Sequence, residues 1–310
     1  MLSVIVRSKN DAELIGRTLS RIHSATREEV EVIGIDSGSD DGTLEIQASF
    51  ADRLFSLPPE RYCPGKVLNF CVEQARGDVV VFLNSDCVPL ARRWLTALTT
   101  PILRGEADVT FGRQDPRPDA WELVRKDNLR AFGDGSVAAG WHHFFSLAVS
   151  AFRRDLLLER PFPVQVQYSE DLAWREANPD AVVRYVPAAQ VEHSHNYPLP
   201  AVWKRFRGEG RADARIFAQE PPPNARLGRA LLSAGAELVR DAAWLIPRGT
   251  WRELPLALSY RVTQRLAYWQ GLREGRRVRG EPEPAPGTSD WASDLQITEH
   301  SPTHVLRRSA

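Results

Sequence analysis

The first half of the chain alternates short β-branched runs with helical patterns. Leu2–Val6 reads as a buried strand. Asn10 or Asp11 stands where a helix N-cap belongs, and Leu14, Thr18 and Ile22 then share one helical face, with Ile15 and Leu19 in support. Glu31–Ile35 predicts a second strand running into Asp36. SGSDDG predicts a turn, and Thr43 starts the next helix. Arg53–Leu57 predicts a third strand, the stretch from Gly65 to about Arg76 a helix, and Asp78–Leu83 (DVVVFL) a fully buried strand. Asp108–Phe111 is one more short strand.

This βαβα order predicts an α/β fold, a mostly parallel sheet in three layers with right-handed crossovers. Ligands of such sheets sit beyond the C-terminal ends of the strands, which singles out Ser8, Asp36 and the stretch from Asn84 to Asp86. After residue 112 the pattern becomes irregular. GRQDPRPDA and AFGDGSVAAGWHH predict long loops around a cleft, and Val182–Val186 a late strand. From Trp203 to about Arg276 the chain is helical and Arg-rich. From EPEPAPGTSDWASD onward there is no apolar periodicity, which predicts a disordered tail. The expected organisation is a domain over 1–212, a helical extension over 213–276 and a tail over 277–310.

With 43% apolar and 26% charged residues, the 310-residue chain can build a sizeable core. A net charge of zero gives no global attraction to nucleic acid. The balance hides an asymmetry: residues 201–280 hold 16 Lys/Arg against 7 Asp/Glu, a local net charge of +9. Cys63, Cys71 and Cys87 have neither disulfide-framework nor metal-site spacing. LSVIV opens at once into a strand, unlike a signal peptide, and no membrane span is expected. A cytoplasmic protein is expected.

Asp36 can accept hydrogen bonds from a base or ribose, or it can shape its own Asx-turn. Asp86, in FLNSDCVP, is placed to ligate a metal that holds a diphosphate, or is a solvated loop residue. Asn84 can meet a sugar hydroxyl or cap its strand. GxGxxG after the first strand, GxxxxGK[ST] and GxSxG are all absent, which argues against a dinucleotide cradle, a P-loop and a nucleophile elbow. In YSEDLAW, Glu170 and Asp171 stand side by side at a helix start, where one can serve as a base and the other in a structural pair. His193 and His195 fall on one side of VEHSHNY if it is extended, where one imidazole can complete a metal shell begun by Asp86. His142 and His143 are candidates for an acceptor pocket.

SVIVRSKN, VIGIDSGSDDGT, FLNSDCVP and YSEDLAW, in that order over about residues 2–210, resemble inverting family 2 glycosyltransferases of the GT-A fold. GRQDPRPDA, SEDLAW and VEHSHNY are most similar to the rhamnosyltransferase branch. The resemblance implies that Ser8, Asp36, Lys66 and Asn69 contact the nucleotide. It makes Asp86 the last acid of a DxD motif whose first position is Asn84, and Asp171 the catalytic base with Glu170 beside it. His193, or alternatively His195, becomes the late metal ligand, and Arg205 and Arg207 gather near the diphosphate. The cofactor is Mg²⁺ or Mn²⁺, the donor a nucleoside-diphosphate sugar, and the acceptor a hydroxyl of a glycan, a lipid-linked glycan or a small molecule.

A metal-dependent sugar nucleotidyltransferase shares the metal and the phosphates, but RSKND lacks the Gly-rich first loop that it needs. A non-catalytic nucleotide-sugar-binding subunit would have no need for Asp86 together with Asp171. In the extension, Leu227, Leu231, Ala234 and Leu238 form a stripe at helical spacing, which suits either an anionic membrane surface or packing on the first domain.

Overall fold

The computed structural model describes residues 1–22, 25, 28–140, 144–217, 226–277 and 290–301. Its strands are β1 (Leu2–Ser8), β2 (Val30–Asp36), β3 (Arg53–Ser56), β4 (Val79–Asn84), β5 (Val88–Pro89), β6 (Val109–Asp115), β7 (Val149–Arg153), β8 (Val183–Glu192) and β9 (Thr298–His300). Its α-helices are α1 (Ala12–Ser20), α2 (Thr43–Ala48), α3 (Pro64–Gln74), α4 (Trp94–Leu103), α5 (Glu122–Phe132), α6 (Ser136–Gly140), α7 (Arg154–Glu159), α8 (Glu170–Ala177), α9 (Leu199–Ile216), α10 (Leu227–Leu245), α11 (Leu254–Arg277) and α12 (Trp291–Leu295).

The strands form one sheet in the order β5-β8-β6-β7-β4-β1-β2-β3-β9. β1 pairs in parallel with β2 and β4, β2 with β3, and β6 with β8. β7 runs antiparallel between β4 and β6, so β6 and β8 point the same way as β1 to β4. The sheet is buried on both faces because alternate residues of its central strands enter different cores. Ile5, Val80 and Phe82 join an aromatic-rich cluster with Phe152, Phe162 and Trp174. Val4, Val6, Val79 and Val81 join a second, with Ile15, Leu19, Trp94 and Leu98. These are the three layers predicted from the pattern.

Two expectations need correction. The boundary at residue 212 falls inside α9. α9 packs on α11 at three glycines: a Cβ would lie 2.3 Å from the Tyr268 carbonyl at Gly210, 2.2 Å from that of Arg207 at Gly271 and 2.6 Å from that of Arg211 at Gly275. Asp241 of α10 and Lys126 of α5 form a buried ion pair, and Arg261 of α11 joins it at 2.8 Å. The tail is ordered over 290–301. Leu295 is buried in the aromatic-rich core, and β9 adds to the edge of β3. A five-residue helix and a three-residue strand are too short to show periodicity, and their order comes from the surface beneath them.

Candidate functional site

Three cavities meet beyond the C-terminal ends of β1, β4 and β6. The first, of about 840 Å³, is lined by Arg7, Tyr62, Phe132, Phe144, Phe145 and Tyr168, with Glu170, Asp171, Lys204 and Arg205. The second, about 400 Å³, is lined by Ser8, Lys9, Ser37, Asn84, Asp86 and His195. A third, about 450 Å³, has both Asp171 and the His193–His195 pair in its wall. Arg7 lines all three, which makes them one cleft.

On the metal side, the hydrogen-bond ladder of β4 ends at Asn84, and the chain turns so that Asp86 enters the cleft. β8 ends at Glu192, and the His193 amide still reaches the Asp115 carbonyl at 2.9 Å, which carries the histidines back toward Asp86. His195 Nε2 lies 3.1 Å and His193 Nε2 3.5 Å from Asp86 Oδ2. One ligand atom from each of the three lies within 4.8 Å of the others, a set that can hold a metal ion. Both histidines are therefore candidates, not one of the two. Gln114 Oε1, 2.7 Å from His193 Nδ1, can only accept, so Nδ1–H donates to it and fixes the ring with Nε2 turned to Asp86 and His195. Burial and the neighbouring His193 push the His195 pKa down to about 4, which keeps that ring neutral, as ligation requires. Burial alone would raise the Asp86 pKa, but His193, His195 and Arg117 outweigh it and hold the carboxyl ionised well below its usual range. The Tyr197 ring stacks on His195 at 4.8 Å, and the Arg205 guanidinium lies 5.4 Å from the centre of the Tyr197 ring.

On the base side, Ser169 sits in the left-handed region at φ 58°, and α8 starts at the next residue. This turn sends the two neighbouring carboxylates to different partners. Glu170 pairs with Arg7 at 3.0 Å. Asp171 accepts from the amides of Leu147, at 3.3 Å, and Leu172, at 2.8 Å. Burial first, and the charge of Glu170 second, push the Asp171 pKa up to about 6. A carboxylate held near neutrality without a cation of its own suits a general base, whereas Glu170 is committed to an ion pair.

Other expected residues lie elsewhere. Asp36 is buried and spends its carboxylate on the turn: Oδ1 accepts from the amides of Gly38 and Ser39 at 2.9 and 2.7 Å, and Ser8 Oγ lies 3.0 Å from Oδ2. Ser8 and Ser37, and not Asp36, line the cleft. Asn69 bonds both backbone groups of Phe162, and Lys66 pairs with Asp294 of α12, so neither is directed at the cleft. Arg207 pairs with Glu274 of α11 at 2.9 Å, while Arg205, two positions earlier and so on the other side of α9, lines the cleft. His142 and His143 lie outside the described residues. The pattern missed Arg7, Gln114, Arg117 and Tyr197. A lone arginine ending the apolar run LSVIV was the signal for Arg7.

The family model for glycosyl transferase family 2 matches residues 3–160, about half of the chain. The chain belongs to glycosyltransferase family 2. It is 23% identical to the O-antigen chain rhamnosyltransferase WbaN of Salmonella anatum, over 80% of this chain and 89% of that protein. It is also 23% identical to the O-antigen chain rhamnosyltransferase RfbN of Salmonella typhimurium, over 88% and 97% respectively. Among solved structures, it resembles the mannosyltransferase PcManGT of Pyrobaculum calidifontis, in complex with GDP-Man and Mn²⁺. The TM-score is 0.60 at 20% identity, covering 90% of this chain and 88% of that one. Glucosyl-3-phosphoglycerate synthase of Mycobacterium tuberculosis, bound to Mn²⁺, UDP and phosphoglyceric acid, gives 0.52 at 23% identity, covering 70% and 78%. This family 2 chain is a nucleotide-sugar-dependent transferase of the rhamnosyltransferase-like branch, with the GT-A fold and the Asp-His-His cluster described above.

Proposed function

We propose that this chain transfers a sugar, with inversion at the anomeric carbon, from a nucleoside diphosphate to a hydroxyl group. The observation that carries the reading is that Asp86, His193 and His195 share one cleft with Asp171. The two rhamnosyltransferases that align with most of this chain support rhamnose as the sugar, and so dTDP-rhamnose as the donor.

Asp86, His193 and His195 hold the cation. A mixed imidazole and carboxylate set is served better by Mn²⁺ than by Mg²⁺, which prefers oxygen ligands. When bound, the ion neutralises charge on the departing diphosphate. Ser8, Lys9 and Ser37 flank the nucleotide, and Arg205 contributes positive charge. Tyr62, Phe144, Phe145 and Tyr168 give the acceptor side flat apolar walls against which sugar rings can pack. Asp171 takes the proton of the acceptor hydroxyl as its oxygen bonds to the anomeric carbon. The bond from that carbon to the diphosphate oxygen breaks, and the electron pair leaves with the diphosphate. Glu170 holds Arg7 and keeps a second charge beside the base. The acceptor class is a glycan, free or lipid-linked, met at the cytoplasmic face, in keeping with three unpaired cysteines.

The test is a donor screen with Mn²⁺, followed by the anomeric configuration of the product. Turnover of dTDP-rhamnose to a product of inverted configuration is expected. Retained configuration contradicts a single displacement with Asp171 as base.

A further inference from the structure

Between Arg226 and Ser259 there are five arginines and three acidic residues, and the fold turns the acids inward and the arginines outward. Glu237 and Asp241 are buried on the inner side of α10, facing Lys126, Arg130 and Arg261. Glu253 points to the first turn of α5, where the amides of Glu122 and Leu123 lie 3.4 Å from its carboxylate. Arg226, Arg229, Arg240, Arg248 and Arg252 are all exposed. Among the described residues, Arg240 alone of the five reaches an acid, Glu237.

The apolar residues divide in the same way. Ala230, Ala234 and Leu245 pack inward, with Leu238 and Trp244 half-buried beside them. Two members of the stripe read from the sequence, Ala234 and Leu238, are therefore part of the interior. The outward face carries a second series, Leu232, Gly235, Val239, Ala243 and Ile246, at helical spacing over about 21 Å. Leu232 is 75%, Val239 70% and Ile246 57% exposed. Trp251 and Leu258, just beyond, are exposed as well. No helix among the described residues is long and apolar enough to cross a membrane.

We propose that the outward face of α10, with Trp251 and Leu258, docks on the surface of an anionic lipid bilayer. Such a surface wants an apolar helical face at acyl depth, an aromatic at the interface and cations level with the headgroups, with no exposed carboxylate to be repelled. α10 and the chain just after it supply each of these. A basic rim argues against a second copy of the chain, because two such faces would bring their arginines together. The proposal concerns the partner of the enzyme and is independent of the chemistry in the cleft.

The test is flotation of the full chain with phosphatidylcholine vesicles, with and without phosphatidylglycerol. The intact protein is expected to float with the anionic vesicles at low salt and to be released as salt rises. The double variant Val239→Asp and Ile246→Asp, at two exposed positions, should stay unbound while its melting temperature and nucleotide affinity match those of the parent. The double variant Arg248→Glu and Arg252→Glu should lower partitioning by at least about tenfold, since each cation near such a surface is worth about fivefold. Absence of flotation at low salt overturns the proposal, as does equal flotation of the Val239/Ile246 variant. So does a concentration-dependent dimer that this variant abolishes, which would assign the face to a second copy.

Discussion

Replacing Asp171 with Asn should weaken transfer and strengthen the fold, and the second effect should depend on pH. The carboxyl is raised from 3.8 to about 6, first by burial and then by Glu170. A group raised in this way favours folding below its unfolded pKa, and that contribution is lost as pH rises through the folded value. At pH 8 the ionised Asp171 therefore costs about two pKa units, on the order of 3 kcal/mol at most. Asn removes that cost. It keeps one acceptor for the amides of Leu147 and Leu172, and the lost hydrogen bond costs about 1 kcal/mol. The net expectation is a gain of about 1–2 kcal/mol at pH 8 that vanishes near pH 4. Transfer should fall by roughly 10²–10⁴, with nucleoside-diphosphate affinity unchanged. Denaturant unfolding of both proteins at the two pH values, alongside turnover, reads all three. Destabilisation at pH 8, or the same difference at both pH values, would refute the assignment of Asp171 as a carboxylate held against its preference.

Alanine at His193 and alanine at His195 should each weaken Mn²⁺ binding by well over tenfold. Gln114→Leu, which frees the His193 ring without touching a ligand, should cost roughly 10–100-fold. Titration of the Mn²⁺ paramagnetic signal checks this, and small, equal effects would mean that neither ring is a ligand. Lys66→Ala should leave the Michaelis constant for donor within about twofold, because Lys66 answers Asp294 and not the cleft, and should cost under about 1 kcal/mol in stability as a surface pair.

The layers of the fold were legible because β1, β2 and β4 are buried on both faces and write continuous apolar runs. β7 was not: Val149–Arg153 is a five-residue strand in a stretch rich in small residues, and only its neighbours β4 and β6 make it a strand. In the site, Asp86, Asp171, His193 and His195 were legible because each stands at the end or start of an element, where ligands of an α/β sheet collect. Lys66 and Asn69 were not, because resemblance of segment order fixes which helix is present but not which way each side chain points from it. α3 turns Asn69 toward Phe162. Gln114 and Arg117 act through long-range contacts to His193 and Asp86, 79 and 31 residues away, which no local spacing encodes.

The most direct measurement is calorimetric binding of dTDP to the full chain with and without Mn²⁺, for the parent and for Asp86→Ala. Mn²⁺ should strengthen binding by on the order of tenfold or more in the parent and hardly at all in the folded variant. Equal affinity with and without Mn²⁺ in the parent, or the same Mn²⁺ effect in both proteins, would contradict a donor site built on Asp86 and its two histidines.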